Sequence, residues 1–128
     1  MNREIKFRAW DSDRKIMGNS IDIQTVYGSL AMYNSIQRQN DEEADYIILM
    51  QYTGLKDKNG VEIYEGDIVR FGYYDIEIPE ISRSIGVVEY DDKHLCYKLG
   101  KKINVPFYEG LRDIEVIGNI YQNPELLN

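Results

Sequence analysis

Between Tyr46 and Phe71 the chain alternates apolar runs with residues that reverse a backbone, and no other segment limits the possible folds so tightly. Tyr46-Ile47-Ile48-Leu49-Met50 leads through Gln51-Tyr52-Thr53 to Gly54, and Lys56-Asp57-Lys58-Asn59-Gly60 then supplies a tight turn. Val61, Ile63 and Tyr64 resume the apolar pattern, and Glu65-Gly66-Asp67 reverses it again before Ile68-Val69-Arg70-Phe71. The unbroken apolar character of 46–53 predicts a strand covered on both faces, ended by Gly54 and placed at the centre of the core. Asn59 and Gly60 can take the positive φ angles of a type I′ hairpin turn.

The same grammar continues on either side. Glu4 to Trp10 alternates, with Ile5, Phe7 and Ala9 on one face and Lys6, Arg8 and Trp10 on the other. Asp11-Ser12-Asp13 is turn chemistry, so Lys15 to Met17 is expected to pair back as the second arm of a hairpin. Ile21 to Val26 reads as a further short strand. The stretch 29–39 is either one short helix or a loop, and the acidic run 40–45 reads as a solvated segment that guards the apolar strand after it. Gly72 to Ser84 lacks a sustained period and reads as a long excursion. Ile85–Tyr90, Leu95–Leu99, Val105–Tyr108 and Ile114–Tyr121 complete a series of short strands, and Asn123-Pro124 predicts a capped helical turn at the end. Short strands at near-regular spacing favour an all-β barrel or sandwich in one domain, residues 1–128.

Composition narrows the function classes. At 128 residues, 43% hydrophobic and 29% charged, the chain has the material for one folded core. A net charge of −7 repels phosphate, which argues against nucleic acid or an anionic membrane as partner. The longest apolar run is far short of the roughly 20 residues a spanning helix needs. A single cysteine cannot close an intramolecular disulfide, and no apolar signal region precedes the first alternating segment, so a cytoplasmic location is expected.

Few residues carry the pattern of a reactive site. His94 and Cys96 sit two apart on an expected strand and so share a face, the spacing of a nucleophile–base pair or half a metal site. A zinc site needs three or four such ligands, and the chain holds one His and one Cys. The bland alternative is a partly buried Cys beside a surface His. Asp11-Ser12-Asp13 and Asp57-Lys58-Asn59-Gly60 lack the spacing of a calcium loop. No phosphate-binding glycine loop or nucleophile elbow occurs, so neither a cofactor nor an enzymatic role is expected. Lys6, Arg8 and Trp10 combine charge with a stacking surface, as in single-stranded nucleic-acid binders; the alternative is a strand face whose Trp is covered. With 11 Tyr in the chain, Tyr73 and Tyr74 join them as candidate contact residues.

The stretch from Met50 to Val69, with Thr53-Gly54-Leu55-Lys56-Asp57-Lys58-Asn59-Gly60 and Tyr64-Glu65-Gly66-Asp67-Ile68-Val69, resembles the YopX family of phage and prophage proteins. Arg3-Glu4-Ile5-Lys6-Phe7-Arg8-Ala9-Trp10-Asp11 is similar to that family's opening, and Ile117-Gly118-Asn119-Ile120-Tyr121 with Asn123-Pro124-Glu125-Leu126-Leu127 to its ending. The resemblance implies coiled β-sheets with an SH3-like barrel element, encoded by a phage or prophage in a bacterial host. It brings no catalytic residues. The expectation is an accessory protein that binds another protein or forms a homo-oligomer; the alternatives are a small-barrel binder of single-stranded nucleic acid and, third, a hydrolase with an acidic site.

Overall fold

Alternation at the N-terminus folds as expected. In the computed structural model, which describes residues 4–18, 47–75, 78–100, 105–106 and 111–128, β1 (Phe7–Asp11) turns back into β2 (Ile16–Gly18) and sets Trp10 opposite Met17. Asp11 makes the reversal. Its Oδ1 accepts the backbone N–H groups of Asp13 and Arg14 at 3.0 and 2.9 Å, and Lys15 closes the turn at φ 61°. On its other edge β1 pairs antiparallel with β3 (Ile47–Lys56), Phe7 opposite Gln51 and Asp11 opposite Ile47. The strand expected at 21–26, the helix or loop at 29–39 and the acidic run at 40–45 lie outside the described residues.

Two compact units divide the chain, Met1–Tyr52 and Thr53–Asn128, and β3 passes from one to the other. This strand differs from the sequence expectation in two ways. It does not end at Gly54 but continues to Lys56, because a glycine at φ 89° bends the strand without interrupting it. It is also not covered on both faces: Met50, Tyr52 and Thr53 are buried, while Leu49 is 40% exposed. An unbroken apolar run hides such a one-sided pattern, since single apolar side chains are common on protein surfaces.

In the second unit, β4 (Glu62–Tyr64) follows the turn at 57–60. That turn is not type I′. Gly60 alone takes a positive φ, 82°, and its N–H donates to the Asp57 carbonyl at 3.0 Å. Asp57 substitutes for the missing geometry, its Oδ1 accepting from Asn59 and Val61. The reversal at Glu65-Gly66 then leads into β5 (Asp67–Asp75), with the Asp67 carboxylate accepting the Tyr64 N–H at 2.8 Å.

The excursion expected at 72–84 is instead a pair of long strands. β5 runs on to Asp75 and β6 spans Ile78–Asp91, with Phe71 opposite Ser84 and Tyr74 opposite Ile81. Backbone pairing carries this extension, so its side chains need no apolar period. β7 (Cys96–Gly100), β8 (Val105–Pro106) and β9 (Arg112–Asn119) complete an antiparallel sheet in the order β8-β7-β6-β5-β9. Register shifts between β5 and β9 at Ile68/Val69 and Arg70/Gly72 curl it into a half-barrel. The main buried cluster lies here, in Ile63, Val69, Phe71, Val88, Leu99 and Leu111, and not in the 46–53 strand. At the C-terminus Pro124–Leu127 form a 3-10 turn, but the Asn123 side chain does not cap it; that side chain accepts the Asn119 N–H at 3.2 Å.

Candidate ligand cleft beside the β6–β7 turn

The reversal from β6 to β7 reuses the turn that joins β1 to β2. Asp91 stands opposite Cys96 as Asp11 stands opposite Ile16. The Asp91 Oδ1 accepts the N–H groups of Lys93 and His94 at 3.0 and 3.2 Å, and Leu95, the fourth loop residue, takes φ 55° as Lys15 takes φ 61°. The third loop residue is basic in both turns and faces the free carboxylate oxygen. Arg14 Nε lies 3.9 Å from Asp11 Oδ2, and His94 Nδ1 lies 2.7 Å from Asp91 Oδ2. The sequence carries the repeat as Trp10-Asp11 and Tyr90-Asp91, each followed by the same spacing.

Beside the second turn is a cleft of about 470 Å³ lined by Asp91, His94, Cys96, Lys98 and Pro106. Cys96 and Lys98 reach it together because alternate residues of β7 share a face. His94 comes from the turn and not from a strand, which corrects the sequence expectation, and it is 67% exposed. Its side-chain hydrogen bond is the main reason the Asp91 carboxyl titrates below its ordinary range, against a smaller opposing effect of burial. No hydrogen bond joins His94 to the free Cys96 thiol among the described residues. Nor, among the described residues, do three or more His, Cys, Asp or Glu side chains converge there to hold a metal ion. The arrangement offers an oriented imidazole, an ammonium and a thiol to one cavity.

The residues singled out from the sequence fall elsewhere. Lys6 lies 3.1 Å from Glu4 Oε1, with its ammonium 5.0 Å from the centre of the Tyr52 ring. Arg8 is half-buried, and Trp10 is only 6% exposed. The face these three share is therefore not an open stacking surface. Tyr73 leans on the core cluster, its ring centre 6.0 Å from that of Phe71. Tyr74 pairs with Ile81 in the long hairpin. Sequence reasoning did not single out Asp91, Lys98 or Pro106 as site residues, although the repeated aromatic-Asp spacing marks the first of them.

A curled antiparallel half-barrel with a long hairpin places the chain among small all-β proteins. A family model described as YopX protein matches residues 6–128. The chain belongs to the YopX family. The crystal structure of protein EF1440 from Enterococcus faecalis is similar to it, with 27% sequence identity, a TM-score of 0.54, and 99% of this chain and 100% of that one covered. No curated protein sequence matches. No helix among the described residues is long and apolar enough to cross a membrane.

Proposed function

We propose that the chain is a phage- or prophage-encoded accessory protein that works by binding another protein, copies of itself included, and not by catalysis. The half-barrel serves as its SH3-like scaffold. One observation carries the reading: Leu95 is 76% exposed at a φ of 55°. A Leu in that region costs about 1–2 kcal/mol relative to ordinary backbone, and exposure returns none of it through burial. The turn itself does not require Leu, because Lys15 fills the same position in the sister turn. The positive φ belongs to the turn, which both hairpins share; an exposed Leu at it does not follow from the turn. Tyr90, also exposed, lies nearby on β6 with its ring packed edge-on against Tyr97, and Tyr is favoured at contact surfaces.

Copurification from prophage-bearing cells tests the reading. A tagged chain is expected to retain a specific protein that Leu95→Asp releases. Retention of the same protein by both variants would remove Leu95 from the contact, and retention of none by either, with the chain itself monomeric, would contradict binding.

A further inference from the structure

The side chains that line the β6–β7 cleft differ in how far they are already engaged. Asp91 is fully used: Oδ1 accepts two backbone N–H groups and Oδ2 meets His94 Nδ1 at 2.7 Å. Holding Nδ1 in this way fixes the ring and leaves Nε2 as the nitrogen available to a ligand. Lys98 is half-buried and forms no ion pair among the described residues. Elsewhere the cations Lys6, Lys58, Arg70 and Arg83 each stand against a carboxylate. The acid opposite Lys98 across the strands is Glu89, but its carboxylate lies over Gly100. A half-buried lysine whose ammonium meets no carboxylate at ion-pair distance among the described residues gains when an anion enters beside it.

We propose that this cleft binds the anionic group of a small ligand, a carboxylate or a phosphate, with Lys98 Nζ as its donor; because Nδ1 carries the proton that Asp91 accepts, His94 Nε2 joins as a second donor only in the imidazolium form. Its volume of about 470 Å³ falls in the range of small-molecule sites, about 300–1,000 Å³. Pro106 supplies an apolar wall for the ligand's body, and the Cys96 thiol lines the same cavity. The repeated turn provides an internal control. Arg14 occupies the position of His94 in the β1–β2 hairpin, where β2 has a glycine, Gly18, at the place that Lys98 holds in β7.

The chain's single His and single Cys make the test direct. The imidazole proton resonances of His94 in the full chain are followed during titration with inorganic phosphate and, separately, with citrate, at constant ionic strength made up with chloride. A saturable shift is expected with at least one of them, phosphate response pointing to a phosphate ligand and citrate response to a carboxylate. Lys98→Gln is expected to weaken that binding about tenfold or more, the equivalent of one charge-assisted hydrogen bond, while Arg14→Gln leaves it unchanged. Resonances that move with neither anion, or move equally in Lys98→Gln, would overturn the proposal. A second readout is the rate at which the Cys96 thiolate attacks an aromatic disulfide, forming a mixed disulfide and expelling one aryl thiolate. Lys98→Gln is expected to slow attack on a carboxylate-bearing disulfide and not on a neutral one; equal slowing of both would count against the site.

Discussion

Val116 donates its backbone N–H to the Asp57 carboxylate at 2.9 Å, a bond that spans 59 residues of sequence. Beside it, the Lys58 N–H donates to the Ile114 carbonyl at 2.9 Å. β9 is an end strand of the five-stranded sheet, and an edge with unmatched N–H and C=O groups invites unwanted pairing. Here the 57–60 turn occupies part of that edge, with a side-chain oxygen standing in for a neighbouring strand's carbonyl. Asp57 is only 7% exposed, so the carboxylate both shapes its own turn and ties it to the sheet.

Asp57→Asn therefore tests a join in the fold and not a surface charge. An amide keeps the size but offers one acceptor oxygen where the carboxylate has two, and either orientation presents an NH₂ to a backbone N–H. A loss of about 2–4 kcal/mol is expected, the scale of a buried network losing charge-assisted bonds. Urea unfolding measures it, and a change below about 0.5 kcal/mol, the level of an ordinary surface substitution, would refute the role.

The same carboxylate sets a pH dependence. Burial works to raise its pKa, but the N–H groups of Val116, Val61 and Asn59 and the nearby Lys58 ammonium outweigh it, so the pKa is lowered from 3.8. A folded value below the unfolded one means that the stabilisation is present above the unfolded pKa and is lost as pH falls through the folded pKa. Wild type and Asp57→Asn should thus converge in stability on acidification to below 3.8. A gap of constant size across that range would show that the charge is not what stabilises the join.

Gly60 separates conformational cost from crowding. A Cβ there meets no atom within 4 Å, yet φ is 82°. Gly60→Ala is expected to cost about 1–2 kcal/mol through backbone strain alone, and Gly60→Asn distinctly less, because Asn tolerates this region. Equal losses for the two variants, measured by thermal unfolding, would point to another cause.

Leu95 gives the opposite sign. Leu95→Asn should stabilise the isolated chain by about 0.5–1 kcal/mol, since the strained position then holds a residue suited to it. If Leu95 instead supports the fold, the substitution destabilises, and the argument that it is kept for contact fails.

Much of this architecture was legible in the sequence, and the exceptions have definite physical causes. The Asp11 turn and the Gly66-Asp67 reversal announced themselves because Asp and Gly act locally, within a few residues. The join between Asp57 and Val116 did not, since nothing in either segment encodes its distant partner. The β5–β6 extension was missed because paired backbones hold it together, and backbone pairing leaves no hydrophobic period in residues such as Glu80, Ser82 and Arg83. The 46–53 strand misled in the other direction: its apolar run promised the centre of the core, while Leu49 faces outward. At the cleft, His94 and Cys96 stand out in the sequence as the single His and single Cys. Lys98 looked like any other surface lysine until the fold set it beside them.

The most direct test of the central claim is the native mass of this chain isolated under gentle conditions from the cells that encode it. The reading of this chain as a binding protein predicts a stable species heavier than the 15.0 kDa monomer, either a multiple of it or a complex with a second protein. A bare monomer throughout, with nothing retained at cellular concentrations, would contradict it.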